Sequence, residues 1–215
     1  MTVIFDMDGV LLDTERLIWR CWGETEPEFG ITGAQKVLEG MFGTDQANFS
    51  RQMKRHYGAD FPYEDFHTAY RNRFFHIVET EGMPVKTGVR EVLAFLKETE
   101  SKIGVASSTR TATVRKELES AGILDCFDDV LGGDTIAHGK PAPDIYLLAC
   151  QRLGAVPAES YGIEDSYNGV RSVYRAGMRP IMVPDQLPPT PEMETIARVF
   201  PDLLAVRDAW KEGTL

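Results

Sequence analysis

From about Met83 onward, short apolar runs alternate with amphipathic stretches, and this alternation leaves the chain few folds to choose from. Lys102 to Ala106, Asp129 to Gly132, Tyr161 to Ile163 and Pro180 to Val183 read as buried strands. Helical stretches separate them. Val89, Val92, Leu93 and Leu96 fall on one helical face, and Val114 and Leu118 share another that Gly122 stops. Pro143 opens a helix at a position that tolerates proline, and Gly154 closes it. Val170 and Val173 lie on a helix closed by Gly177. Strands alternating with helices predict a parallel sheet with helices on both faces. Thr2 to Phe5 is one more buried run and joins the same sheet.

The stretch from Thr14 to Gly82 follows a different rule. Leu17, Ile18, Cys21 and Trp22 share a helical face, and Pro27 ends that helix. Val37, Leu38, Met41 and Phe42 repeat the pattern, and Phe66, Tyr70, Phe74, Ile77 and Val78 repeat it more strongly. Helices joined by short polar loops predict a small bundle. The expected architecture is therefore α/β: a parallel-sheet core from 1–13 and 83–215, with a helical domain, 14–82, inserted after the first strand. A chain of 215 residues is long enough for one domain with a smaller insert.

Charge and composition exclude several classes of function. The net charge of -10 and a pI near 4.9 predict long-range repulsion from nucleic acid and from anionic membranes. An anionic small molecule can still bind where local positive charge overrides that field. Cys21, Cys126 and Cys150 are scattered and form no Cys-x-x-Cys, which argues against a disulfide framework or a zinc knuckle. His56, His67, His76 and His138 show no metal-ligand spacing. No signal pattern precedes the first strand, and no apolar run approaches the ~20 residues of a membrane span. The expectation is a reduced, cytoplasmic monomer with no nucleic-acid or membrane partner.

Sites in open α/β sheets lie beyond the carboxyl ends of the strands. Asp6 and Asp8 follow the first strand. Ser107, Ser108, Thr109 and Arg110 follow the second. Asp134 follows the third, with Lys140 a little later, and Glu164 and Asp165 follow the fourth. Each piece alone has a plain reading. Asp8-Gly9 makes a turn, Thr109 or Thr111 caps a helix, Lys140 sits on the surface, and Glu164-Asp165 lies in a solvated loop. Their placement at successive strand ends of one sheet argues against all four together. Carboxylates at Asp6 and Asp165, with Glu164 as a further candidate, suit a hard cation such as Mg²⁺. Ser107 and the backbone amides of the next helix start can donate to phosphoryl oxygens, and Lys140 adds a point charge. A carboxylate can accept a phosphoryl group as a nucleophile, and a second acid two residues on can protonate a leaving oxygen.

These segments resemble a known family. "DMDGVLLDTE", "ASSTR", "GKPAPDIY" and "GIEDSYNGV" are similar, in order, to the motifs of the haloacid dehalogenase-like superfamily, in the branch of β-phosphoglucomutase. The resemblance implies a Rossmann-like core with an inserted helical cap. It implies Asp6 as nucleophile, Asp8 as general acid/base, and Ser107 and Lys140 as holders of the transferring phosphoryl group. It also implies Mg²⁺ at Asp6, the backbone carbonyl of Asp8 and Asp165, with Glu164 helping. The acid at Asp8 argues against a dehalogenase. The expected reaction is hydrolysis of a small phosphorylated metabolite, a sugar or polyol phosphate. A sugar phosphomutase is the first alternative, and a non-catalytic binding module on the same scaffold is the second. Glu15, on the first cap helix, with Ser108, Thr109 and Arg110 are the substrate-contact candidates. Trp19, Trp22, Met41 and Phe42 read first as cap core. Two polar cap groups of the mutases, a histidine and an arginine, align with Ile18 and Gly43 here, which favours hydrolysis.

"GGDTIAHGKP" lacks the glycine spacing of a P-loop and has Pro141 where a Ser or Thr is needed. No G-x-S-x-G elbow and no strand-borne G-x-G-x-x-G is present.

Overall fold

The computed structural model describes residues 1–38 and 46–215. Met41, Phe42 and Gly43, which the sequence places in the cap, lie outside the described residues. The chain divides into two compact units, Met1–Asp13 with Met83–Leu215, and Thr14–Gly82.

The first unit holds a six-stranded sheet of β1 (Thr2–Phe5), β2 (Lys102–Ala106), β3 (Asp129–Leu131), β4 (Ser160–Glu164), β5 (Arg179–Met182) and β6 (Arg198–Val199). All pairings are parallel, in the order β3-β2-β1-β4-β5-β6. β1 lies between β2 and β4, with Val3, Ile4 and Phe5 fully buried, as a central parallel strand covered on both faces must be. Phe5 is level with Val105 and with Ile163. The next residues along, Asp6 and Glu164, therefore leave the sheet side by side, and Ser107 sits one step past β2. The reversal of strand order at β1 and β4 marks the crevice where open α/β sheets bind ligands.

The second unit is helical: α1 (Thr14–Thr25), α2 (Ala34–Leu38), α3 (Gln46–Tyr57) and α4 (Tyr63–Glu81). Its core gathers Trp22, Ala34, Met53, Phe61, Tyr63 and Phe66. Trp22 is 1% exposed, with ring centroids of Phe49 at 4.8 Å and of Phe66 and Tyr70 at 5.5 Å. Contacts of this kind carry packing energy beyond simple burial. Trp22 is thus a core residue of the bundle, and Ile18 packs against the same cluster.

The first unit continues with α5 (Val89–Glu98), α6 (Thr111–Ser120), α7 (Asp144–Leu153), α8 (Tyr167–Arg175), α9 (Pro191–Ile196) and α10 (Leu203–Lys211). One core cluster packs α7 residues Ile145, Tyr146, Ala149 and Cys150 and α8 residue Val173 against Ile4, Ala106 and Leu131 of the sheet. Among the described residues no helix is long and apolar enough to cross a membrane.

Candidate active site

The chain turns sharply after β1. Leu11 and Leu12 donate backbone hydrogen bonds to Met7 O at 2.9 and 3.0 Å, and Gly9 N donates to Leu12 O at 3.1 Å. Gly9 has φ +76°, the left-handed region glycine enters without strain. The turn also needs the missing side chain, since a Cβ on Gly9 would lie 2.2 Å from Asp165 Oδ2. Met7, Val10, Leu11 and Leu12 anchor the turn in the core. Asp6 is buried and Asp8 half-buried, and Thr109 Oγ1 lies 3.5 Å from Asp8 Oδ2 as a donor.

Lys140 reaches in from the segment before α7, and its side chain is 7% exposed. Its ammonium donates to Asp6 Oδ1, to Glu164 Oε1 at 2.6 Å and to the Ala106 carbonyl at 2.8 Å. Three adjacent strands thus converge on one cation. Tyr146 OH donates to Glu164 Oε1 at 2.7 Å, and Ser166 Oγ to Glu164 Oε2 at 3.2 Å. A carboxylate 1% exposed is costly unless its oxygens are paired, and here both are. Gly169 makes the fit possible, since a Cβ there would sit 1.9 Å from the Glu164 carboxyl. Gly to Ala inside a helix ordinarily stabilises by about 1 kcal/mol. Gly169→Ala is expected to do the reverse, lowering stability by roughly 1–3 kcal/mol through overpacking. Chemical denaturation checks the sign, and a more stable variant would refute this packing.

Asp6, Glu164 and Asp165 can each present an oxygen within 4.8 Å of the others. Burial, helped by the charges of Glu164 and Asp8, outweighs Lys140 and raises the Asp6 carboxyl to about 8. Burial works to lower Lys140, but the charges of Asp6 and Glu164 outweigh it and hold the ammonium protonated. With one ammonium near it, Asp6 is held largely protonated at neutral pH, so the cluster is short of the positive charge that its ionised form needs. A divalent cation with oxygen ligands fits both the deficit and the donor set.

Ser107 is 1% exposed, and its Oγ accepts from Thr109 N at 3.1 Å. Ser108 and Arg110 are exposed and Thr109 is half-buried. Glu15 stands in the first turn of α1, in the helical unit. Asp134, a strand-end acid by sequence, has a structural role instead. Its Oδ1 accepts from Thr111 N and Thr111 Oγ1, both at 2.7 Å. The start of α6 is capped from that loop, and neither Thr109 nor Thr111 serves as its side-chain cap.

The family model described as haloacid dehalogenase-like hydrolase matches residues 3–183. The chain belongs to this family. Among its relatives, a phosphorylated carbohydrates phosphatase of Thermotoga maritima is 30% identical over 179 residues, covering 83% of this chain and 82% of the relative. A β-phosphoglucomutase of Bacillus subtilis is 31% identical over 182 residues, covering 82% and 80%. The crystal structure of a Thermotoga maritima protein named after β-phosphoglucomutase superposes with a TM-score of 0.84 at 28% identity, covering 99% of each chain. Membership in the haloacid dehalogenase-like hydrolases agrees with the Rossmann-like sheet and with acids at the ends of β1 and β4. Three residues that pack beside the candidate site escape a reading of the sequence. Tyr146 is hidden in an apolar helix face. Gly169 shows only as part of a motif. Asp185 follows β5, where the same strand-end rule would point to it.

Proposed function

We propose that the protein is a Mg²⁺-dependent phosphatase that releases inorganic phosphate from a small sugar or polyol phosphate. The observation that carries this reading is Asp6 at the meeting point of Lys140 and the acid cluster, with Asp8 two residues along. An Asp6 carboxylate oxygen attacks phosphorus, the ester P–O bond breaks, and the departing oxygen takes the proton held by Asp8. Water then attacks the phosphorus of the Asp6 phosphate. Its proton passes to Asp8, the bond to Asp6 breaks, and the carboxylate is restored. Ser107 and Lys140 hold the phosphoryl oxygens, and Thr109 orients Asp8. Mg²⁺ bound at Asp6, the backbone carbonyl of Asp8 and Asp165 supplies charge that offsets the phosphoryl oxygens. Glu164 helps from behind by fixing Lys140. Ser108 and Arg110 are assigned to the substrate's sugar side.

The name of the Bacillus subtilis relative makes a mutase the second reading. Ile18 favours the phosphatase. It packs against the aromatic cluster of the helical unit and offers no polar group for a captured sugar. A non-catalytic module is disfavoured because Asp6, Asp8, Ser107, Lys140 and Asp165 are all present.

The test is a phosphate-release screen over phosphorylated metabolites. Release is expected with Mg²⁺, to stop with a chelator, and to resume when Mg²⁺ is restored. Release that persists in metal-free protein would contradict the proposal.

A further inference from the structure

Asp185 lies just past the end of β5, and its side chain is 7% exposed. One oxygen is accounted for: Oδ1 accepts from Lys86 Nζ at 2.6 Å. Lys86 is itself held in place, its backbone N donating to Leu11 O at 3.0 Å and its ammonium 3.8 Å from Asp13 Oδ1. The other oxygen, Oδ2, is buried with no hydrogen-bond partner. A buried acceptor without a donor carries a full desolvation penalty, so a native carboxylate left this way calls for an explanation.

The direction of that oxygen supplies one. A Cβ built on Gly9 would lie 3.4 Å from Asp185 Oδ2 and 2.2 Å from Asp165 Oδ2. Both oxygens therefore lie close to Gly9 and close to each other. Asp165 belongs to the acid cluster that can hold a cation. Two carboxylates this near repel each other, and a donor shared between them relieves that repulsion. A water molecule on a bound cation is such a donor, because the ion orients both its hydrogens outward.

We propose that Asp185 is a positioning residue for the cation. Its Oδ2 accepts a hydrogen bond from a water on the ion held at Asp165, and Lys86 fixes its Oδ1. This rests on the Mg²⁺ reading above and extends it to a residue outside the four motif segments. Outer partners of this kind typically change metal affinity by about 10–100-fold when removed.

Calorimetric titration of the whole protein with Mg²⁺ alone, without substrate, is the test. In Asp185→Asn the amide oxygen must face Lys86, since an NH₂ cannot face an ammonium. The NH₂ then points at the water in place of an acceptor. Mg²⁺ should bind about tenfold more weakly, and the rise in melting temperature on adding Mg²⁺ should shrink. A loss of affinity below about threefold, with wild type binding normally, would overturn the inference and leave the phosphatase reading standing. A merely structural role would lower the melting temperature of the metal-free protein and leave Mg²⁺ affinity unchanged, which also overturns it. Wild type that fails to bind Mg²⁺ would overturn the metal reading itself. If the Asn variant does not fold, Asp185→Ser carries the same titration.

Discussion

Asp6→Asn is expected to abolish turnover, by more than about 10⁴-fold, the scale seen when a covalent nucleophile is removed. The protein should still fold. An amide oxygen is a poor nucleophile and a weaker ligand for a hard cation, so both proposed roles of Asp6 fail together. The fold loses little. Lys140 keeps Glu164 and the Ala106 carbonyl as acceptors, and the amide oxygen can still accept from it. Burial pushes the Asp6 carboxyl up to about 8, so a carboxylate here is held against its solvation preference. A neutral amide escapes that penalty, and the metal-free variant should melt no lower than wild type. Circular dichroism melting beside a phosphate-release assay measures both halves. A folded variant with activity within a hundredfold of wild type would rule out Asp6 as nucleophile.

Lys140→Ala should fail on both counts. Asp6 and Glu164 have side chains 10% and 1% exposed, and Lys140 is the cation bonded to both. Removing it takes this cation from Asp6 and the Ala106 carbonyl and leaves Glu164 with only the neutral donors Tyr146 and Ser166. Breaking a buried ion pair from one side costs about 3–5 kcal/mol. For a chain of this size that is a fall in melting temperature of roughly 6–20 °C. Turnover should fall as well, because the phosphoryl charge would meet Asp6 with one cation fewer. Added Mg²⁺ should recover part of the lost stability, since it brings positive charge to the same acids. Melting within a few degrees of wild type in the absence of metal would show that Lys140 is not the support described here.

Much of the site is legible in the sequence because buried parallel strands are continuous apolar runs. A carboxylate just past such a run, like Asp6 after Phe5, stands out against them. The same contrast exposes Glu164 and Ser107. It fails at Asp134, where only the 2.7 Å contacts to Thr111 distinguish a helix cap from a ligand. Lys140 cannot be told from a surface lysine by local pattern, because its acceptors come from β1, β2 and β4 and meet only when the sheet assembles. β6 has two residues and carries no periodicity to read. α10 does carry a signal: Asp202 accepts from Ala205 N at 2.9 Å as its N-cap. Asp185 escapes because the strand-end rule, followed through β4, stops short of β5.

In the proposed mechanism water, not a second sugar phosphate, takes the phosphoryl group from Asp6. Product analysis by ³¹P NMR tests it most directly, with a hexose 1-phosphate, Mg²⁺ and a bisphosphate primer. A mutase must shield its aspartyl phosphate until a sugar is captured. Ile18, packed into the helical core, offers no polar group for that capture. The spectrum is expected to show inorganic phosphate as the main product, with little hexose 6-phosphate. Hexose 6-phosphate as the main product would contradict the account.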